Sequence, residues 1–199
     1  MNAFQATLPQ QLATLDATQE PQATLPLEVW AMDESRFGLQ TVRRRRLTVR
    51  GVKPIGRNQH AYENFYLYGA VAPRTGAGFF EARLQLNRDQ FQAFLDALST
   101  TYPATFNVLI VDNARAHRAT TLQVPANIAL LFQPPYAPEL NPCERVWLAL
   151  KDALAWRCFA DVPALQDALE RTLAVLTPKA LQSLTAYPYL AQALHAQPL

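Results

Sequence analysis

The pattern of hydrophobic and polar positions predicts five strands and several helices. Short, mostly apolar runs typical of strands lie within residues 27–39, 65–86, 106–111 and 127–132. The second of these runs holds two strands joined as a hairpin. Apolar residues spaced three and four apart predict amphipathic helices that start after Asn87, Asn141, Asp161 and Thr177. Helix-prone residues between the last two strands predict one more helix, so the order indicates an α/β protein with a mixed sheet and helices on its faces.

The composition is that of one folded domain. The chain has 199 residues, half of them hydrophobic, which is enough for a sizeable core. Residues 1–26 are rich in Gln, Thr, Ala and Pro, and we expect a linker with a short helix there. The domain itself is expected over residues 27–199, with packing helices at its C-terminal end.

The chain lacks the ligands of a disulfide scaffold or a zinc cluster. Cys143 and Cys158 are the only cysteines, and the histidines are scattered at positions 60, 117 and 195. No apolar run approaches the ~20 residues that span a bilayer, and the first residues lack the pattern of a signal peptide. We therefore expect a cytoplasmic protein with no membrane partner.

Acidic residues follow two of the predicted strands. Asp33 and Glu34 fall near the end of the first strand, while Asp112, with Asn113 after it, ends the fourth. An acid at the end of an apolar strand is costly to bury unpaired, so it lies either at a solvated edge or against a cation. For each acid taken alone, both interpretations are open.

A proline-spaced loop leads into a third acid. The segment 134–151, PPYAPELNPCERVWLALK, predicts a stiff loop followed by a helix. Asn141 is a favoured N-cap, Pro142 suits the first helical position, and Glu144 completes a capping box with Asn141. Capping alone would explain this glutamate, but it would explain neither the stiff loop nor the two other acids. Glu144 is therefore a candidate for a functional site as well as for the cap.

Seven of the eighteen basic residues lie in one short segment. They are Arg43, Arg44, Arg45, Arg46, Arg50, Lys53 and Arg57. Gly51, Pro54 and Gly56 predict a loop or twisted hairpin, and a mobile basic loop beside an acidic site suits the binding of a phosphate backbone. A solvated face is the alternative interpretation of such a run. The aromatic residues that follow, from Tyr62 to Tyr68, fit a strand whose rings pack in a core.

The three acids Asp33, Asp112 and Glu144 are expected to meet beyond the carboxyl ends of the strands, where ligands of such sheets gather. Carboxylates are hard oxygen ligands that suit Mg²⁺ or Mn²⁺. Two such ions ~3.5 to 4 Å apart can bind the attacking and leaving oxygens of a phosphodiester. With the basic segment, the acids favour a metal-dependent nuclease or strand-transfer enzyme.

Three blocks of the sequence, MDESRFGL, IVDNARAH and PPYAPELNPCERVWLALK, resemble the signature blocks of DDE transposases of the mariner superfamily, in particular the bacterial insertion-sequence six-thirty branch. The resemblance covers residues 27 to about 160. It implies an RNase H-like, retroviral integrase-like fold in which Asp33, Asp112 and Glu144 bind two Mg²⁺ or Mn²⁺ ions. The implied reaction cuts transposon ends with water and joins the 3′-OH to target DNA, preferably at TA.

Auxiliary roles and partners are also implied by the resemblance. The auxiliary residues are Glu34, Asn113, His117 and Asn141, of which Asn113 and His117 match the Asp-Asn-x-x-x-His part of the second block. A lone histidine is otherwise more often structural. Family members act on DNA as dimers on paired ends, so we expect a homodimer associated with the nucleoid.

Two features depart from the family pattern. Only 31 residues separate Asp112 from Glu144, which implies a shortened loop before the fifth strand. The N-terminal helix-turn-helix modules that recognise transposon ends do not fit in residues 1–26, so we expect a catalytic half. A separately encoded helix-turn-helix half is compatible with a split reading frame, and a truncated remnant is the alternative. An inactive remnant and a non-catalytic DNA-binding or assembly subunit are the competing functions.

Overall fold

Five strands form one mixed sheet in the computed structural model, which describes residues 3–19, 25–45, 47–53 and 55–195. They are β1 Leu27–Gly38, β2 Asn64–Val71, β3 Gly78–Arg83, β4 Phe106–Val111 and β5 Ile128–Phe132. Their order across the sheet is β3-β2-β1-β4-β5, with the first three antiparallel and the last three parallel. The predicted mixed five-stranded sheet is confirmed.

The central strand β1 continues well past Asp33 and Glu34, and this changes where they lie. Its parallel pairing with β4 ends where Ala31 faces Ile110, whereas its antiparallel pairing with β2 continues to Gly38. Asp33 and Glu34 therefore lie in the middle of β1 and not near its end, which corrects the prediction. The second half of β1 extends beyond β4 because β2 alone supplies its backbone hydrogen bonds.

Helices cover the sheet on both faces. In the described residues they are α1 Ala3–Asp16, α2 Arg88–Thr101, α3 Cys143–Ala153, α4 Val162–Ala174, α5 Pro178–Thr185 and α6 Pro188–His195. The predicted caps of α2, α4 and α5 are present, since the side chains of Asn87, Asp161 and Thr177 each accept a backbone N–H from the first turn. No helix of the described chain is long and apolar enough to cross a membrane.

The helix in the predicted linker is part of the folded unit. Phe4, Leu8 and Leu12 of α1 are buried, and they pack with Tyr189 and Leu190 of α6, a helix that was not predicted. The rings of Phe4 and Tyr189 meet edge to face with centroids 6.4 Å apart. Burying a large apolar side chain is worth ~1.5–3 kcal/mol. Three of them hold α1 on the domain, so the linker interpretation is wrong for Ala3–Asp16.

The connection between β4 and β5 lacks the helix that was predicted there. Residues 112–127 form turns instead. The Asp112 carboxylate accepts the backbone N–H of Ala114 at 2.9 Å, and such local side-chain bonds compete with helix formation. The turn also brings the side chain of His117 back under the sheet, where it is buried.

Alternate residues of β1 serve two separate cores. Ala31 packs toward α3 and α4 on one face, while Trp30 and Met32 pack toward α2 on the other. This alternation follows from the period of two in a strand. Among the aromatic residues predicted to lie in the core, Tyr68 is buried, but Tyr62 is 75% exposed because it precedes the strand.

Candidate active site

The register of the sheet places Asp33 and Asp112 side by side. β1 and β4 are parallel, and Ala31 lies opposite Ile110, so the two acids, each two residues further on, are at the same level. Neighbouring strands are ~4.8 Å apart. Asp112 comes directly after the last residue of β4, and Asp33 is still inside β1.

Helix α3 brings Glu144 to the same region because it runs along β1 in the same direction. Three contacts fix this alignment in order along the helix: Cys143 with Ala31, Trp147 with Asp33, and Lys151 with Phe37. The first is a bond from the Cys143 thiol to a backbone carbonyl at 2.9 Å. Glu144 is the next residue, so it stands at the start of the aligned helix.

Asn141 anchors the start of α3 without forming the predicted capping box. Its Oδ1 accepts the N–H of Cys143 at 3.1 Å, and its Nδ2 donates to the carbonyl of Met32 at 2.9 Å. The backbone N–H of Asn141 donates to the carbonyl of Pro138 in a short 3-10 helix, so it does not receive Glu144. The reciprocal bond of the box is therefore missing, and the exposed Glu144 carboxylate faces solvent.

The three acids line one open cleft of about 420 Å³. Its other lining residues include Asn113, Gln133, Asn141 and the proline-rich loop 134–138. In that loop Tyr136 has a φ of 58°, a left-handed conformation that costs a non-glycine residue ~1–3 kcal/mol. The stiff loop predicted from the sequence thus forms a wall of the cleft.

Asp33 is a largely buried carboxylate that forms no ion pair in the described chain. Burial raises its pKa from 3.8 to about 7, the bond from Trp147 lowers it, and the charges of Glu34 and Glu144 raise it further. The bond joins the indole Nε1 to Oδ2 at 2.8 Å. A cation at this position would favour the ionised form of Asp33.

Asp112 is supported by a histidine that lies between two carboxylates. His117 Nδ1 lies 2.7 Å from Oδ1 of Asp112, and Nε2 lies 2.9 Å from Oε1 of Glu34. The His117 side chain is 1% exposed, and its ring packs against that of Phe91 with centroids 4.3 Å apart. The auxiliary residues Glu34 and His117 therefore lie behind Asp112 and not in the cleft.

The charges of this arrangement orient Asp112. Burial lowers the pKa of His117, but its bonds to Asp112 and Glu34 outweigh burial and raise the pKa to about 10. At neutral pH the ring is thus an imidazolium that donates to both carboxylates, and its bond lowers the pKa of Asp112. Oδ1 of Asp112 also accepts the N–H of Ala114. Because no described group donates to Oδ2, that oxygen is the one left for a ligand in the cleft.

Asn113 joins the ends of two strands at the edge of the cleft. Its Nδ2 donates to the carbonyl of Gln133, which follows β5, and its Oδ1 accepts from Arg118 at 3.0 Å. These bonds hold the turn after β4 next to the proline-rich loop.

The basic segment lies at the other end of α3, and not beside the acids as predicted. The indole Nε1 of Trp156 donates to the carbonyl of Arg44 at 3.0 Å, and the guanidinium of Arg44 pairs with Asp152 of α3. None of the described basic residues of the segment lines the acid cleft. Arg46 lies outside the described residues, and the exposed members are Arg43, Arg45, Arg50, Lys53 and Arg57.

Trp147 is a site residue that the sequence pattern did not reveal. It was assigned only to the buried face of α3, yet its indole N–H holds Asp33. The available signal was its position, because a residue three places after Glu144 lies one helical turn away and next to it.

The donor set fits a hard divalent cation, although the side chains are not gathered around one position. Asp33, Asp112 and Glu144 offer only carboxylate oxygens, and Asp33 lacks a compensating charge. Within the part of the chain that is described, no group of three His, Cys, Asp or Glu side chains is close enough together to hold a metal ion. Binding of one cation by all three acids would thus require their side chains to move closer together.

Comparison with known proteins identifies related sequences. A family model described as "DDE superfamily endonuclease" matches residues 28–166, which include all three acids. An uncharacterized protein of Sinorhizobium fredii, y4pE/y4sA, is 39% identical over 98 residues, or 48% of this chain and 73% of that protein. The insertion element IS630 uncharacterized 39 kDa protein of Shigella sonnei is 31% identical over 97 residues, or 46% of this chain and 28% of that protein.

Solved structures share the fold. The Mos1 transposase paired-end complex with the left transposon end matches with a TM-score of 0.65 and 14% identity, over 98% of this chain and 62% of that chain. The Mos1 paired-end complex with Mg matches with a TM-score of 0.66 and 16% identity, over 100% of this chain and 64% of that chain. The predicted RNase H-like fold is confirmed. This chain spans less than two thirds of the Mos1 chain and about a quarter of the Shigella protein.

Proposed function

Because this chain belongs to the DDE superfamily endonucleases, as its three sequence blocks predicted, we propose that its acidic cleft cuts DNA as the catalytic domain of a transposase. The proposed reaction is hydrolysis of a phosphodiester at a transposon end, followed by attack of the freed 3′-OH on target DNA. A preference for TA targets comes from the family resemblance and is tested by sequencing the joined products.

One observation carries this proposal: three acids that are far apart in the sequence line the same cleft. Each acid is positioned by a different neighbouring residue. Asp33 is held by Trp147, and Asp112 is held by His117. Glu144 is placed by the helix start at Asn141. A purely structural set of acids would not need three separate supports that leave a carboxylate oxygen open to the cleft.

We assign Asp33, Asp112 and Glu144 as ligands of Mg²⁺ or Mn²⁺. When bound, such ions stabilise the attacking and leaving oxygens of the phosphodiester. The Mos1 paired-end complex has been solved with Mn and with Mg, which supports this choice of metal. The chain's own contribution is to present Oδ2 of Asp112, to keep Asp33 in place through Trp147, and to leave Glu144 exposed at the helix start.

DNA is the proposed partner, and the exposed arginines of the basic segment are its proposed backbone contacts. A structure of a pre-cleavage Mos1 transpososome shares the fold, with a TM-score of 0.65 and 14% identity, which supports DNA as the proposed ligand. We further propose that two copies act together on paired ends, and that a helix-turn-helix module supplies recognition of the ends.

The decisive experiment compares two glutamates of the same loop and helix. Glu144→Gln removes one proposed ligand, and because the side chain is exposed, folding should be unaffected. Glu139→Gln is the matched control, since Glu139 is also exposed but does not line the cleft. Supercoiled DNA is incubated with each protein and Mn²⁺ or Mg²⁺, and nicked circles are counted. We expect nicking by the wild type and the Glu139 variant and none by the Glu144 variant.

Nicking that persists in the Glu144 variant would contradict the assignment. The alternative function, a DNA-binding or assembly subunit without catalysis, gives a different result. It predicts salt-sensitive DNA binding by the wild type and no cleavage with either metal.

A further inference from the structure

A second cavity opens beside the C-terminal half of α3. Its volume is about 280 Å³. Its lining residues include two with aromatic rings, Phe37 and Phe159. They also include three cations: Arg36, Lys151 and Arg157. Tyr62 also lines the cavity and exposes 75% of its surface. Aromatic surface beside cations is the chemistry that binds single-stranded nucleic acid.

The cations of this cavity, Arg36, Lys151 and Arg157, are not held in ion pairs within the described chain, although Glu63 also lines the cavity. Lys151 is half-buried, and its ammonium lies 5.5 Å from the centroid of the Phe37 ring. Burial lowers the pKa of Lys151, although the negative charge of Glu144 raises it. An anion in the cavity would complete this site.

The elements that carry the acids also carry the cavity. Phe37 lies four residues after Asp33 on the same face of β1, which is ~13 Å along a strand. Lys151 lies seven residues after Glu144, two turns along α3, which is ~10.5 Å along a helix. Along both elements the cavity is thus ~10 to 13 Å from the acid cleft, a distance that a few nucleotides of one DNA strand can span.

We propose that this cavity binds one nucleotide of the DNA strand that leaves the acid cleft, with its phosphate on Lys151 and Arg157 and its unpaired base against Tyr62. The inference rests on the proposed function for the identity of the ligand as DNA. The inferred site differs from the acid cleft in two ways: it would bind DNA without a metal ion, and none of the three acids lines it.

The test measures DNA binding in EDTA, so that cleavage does not contribute. A labelled duplex with a single-stranded 3′ extension is titrated by fluorescence anisotropy at several salt concentrations. Lys151→Gln and Arg157→Gln should each weaken binding severalfold and reduce the slope of log affinity against log salt by about 0.7 to 0.9. Lys151→Arg should keep the slope of the wild type. Lys179→Gln is the matched control, because Lys179 is exposed and does not line the cavity.

Tyr62→Ala tests the base. It should weaken binding to the duplex with the extension and leave binding to a blunt duplex unchanged, because stacking on an aromatic ring requires an unpaired base. Tyr62→Phe should bind both DNAs as the wild type does.

Equal slopes for the wild type and both glutamine variants would overturn the inference, and so would an equal loss in the Lys179 control. Arg157 is exposed, so its variant keeps the test valid even if the Lys151 variant melts early. The two proposals fail separately. Metal-dependent nicking with unchanged slopes contradicts this cavity alone, whereas the expected slopes without any nicking contradict the proposed activity alone.

Discussion

The two neighbouring acids of the cleft have opposite surroundings. Asp33 lies inside β1, is mostly buried, and has a pKa raised to about 7. Asp112 lies just beyond β4, has a side chain that is 55% exposed, and has a pKa lowered chiefly by the bond from His117. The two residues are level in the sheet, so the difference comes from two causes: Asp33 lies inside a strand paired with β2, whereas Asp112 lies beyond the end of its strand and is held from behind by His117.

A cation site needs a group that attracts the cation and a ligand oxygen that is held in a fixed position. The different surroundings of Asp33 and Asp112 would divide these two requirements between them. Asp33 forms no ion pair in the described chain and has a raised pKa, so a bound cation would favour its ionised form. Asp112 is already neutralised from behind by His117, so it supplies a fixed oxygen instead. A site built in this way attracts a cation on one side and sets its position on the other.

Replacing either acid should abolish nicking, but the two replacements should change stability in opposite directions. Asp33→Asn removes a poorly solvated charge and should raise the melting temperature of the metal-free protein at pH 8. Asp112→Asn removes the carboxylate that pairs with buried His117 and should lower it. Nicking assays and thermal melting in EDTA check both results. If both substitutions shift the melting temperature in the same direction, the surroundings of Asp33 and Asp112 do not have opposite effects on their charges.

The stability gained in Asp33→Asn should depend on pH. Because the folded pKa of Asp33 is about 7 and its ordinary value is 3.8, the native state holds a proton that the unfolded chain has lost between these values. Wild-type stability should therefore fall relative to the variant as pH rises from about 4 to about 7, and the gap should stay constant above that.

The full gap corresponds to at most about 4 kcal/mol. For a chain of this size that is on the order of 10 °C in melting temperature. Melting curves from pH 4 to pH 9 in EDTA measure it. Added Mg²⁺ should reduce the difference in melting temperature between the variant and the wild type, because it should stabilise only the wild type. If this difference does not vary with pH, the titration of Asp33 is not its cause.

Two substitutions of His117 separate its two bonds. Asn at this position can keep a donor near Asp112 in place of Nδ1, whereas Gln can keep a donor near Glu34 in place of Nε2. We expect His117→Gln to reduce nicking about 10- to 100-fold and to raise the Mn²⁺ concentration needed for half-maximal rate. His117→Asn should keep more activity at equal melting temperature. If both variants lose activity only in proportion to their stability, His117 is structural and does not orient Asp112.

The smallest effect is expected from Trp147→Phe. This change removes the N–H donor to Asp33 and keeps most of the packing. A bond to a charged group is worth ~1.5–3 kcal/mol, and its loss should raise the pKa of Asp33 above about 7. The pH at which nicking reaches half of its maximum should move upward, while the rate at high pH changes little. An unchanged pH profile would show that the indole does not tune Asp33.

Local sequence patterns were enough to predict the strands, most of the helix caps and the three acidic blocks. Asn87, Asp161 and Thr177 cap helices through bonds to the following turn, which a sequence reveals directly. Family membership and the RNase H-like fold followed from the blocks. The roles of the acids, the auxiliary residues and the basic segment stay predictions.

Features that depend on distant contacts were missed. The bond between His117 and Glu34 joins positions 83 residues apart, and the bond between Trp147 and Asp33 joins positions 114 apart. The packing of α1 on α6 joins the two ends of the described chain. Nothing in a local window favours one such partner over another, so tertiary packing decides them.

Because α3 is aligned with β1, the distance between the acid cleft and the second cavity depends on one uninterrupted helix. No glycine or proline interrupts the helix from Cys143 to Ala153. Inserting one residue between Glu144 and Lys151 would lengthen α3 by only ~1.5 Å, less than half of the ~3.4 Å between phosphates of a duplex strand. It would also rotate Lys151 by ~100° around the helix axis. The distance between the acid cleft and the second cavity is thus fixed by this helix, and a different distance would require changes in both the helix and the strand.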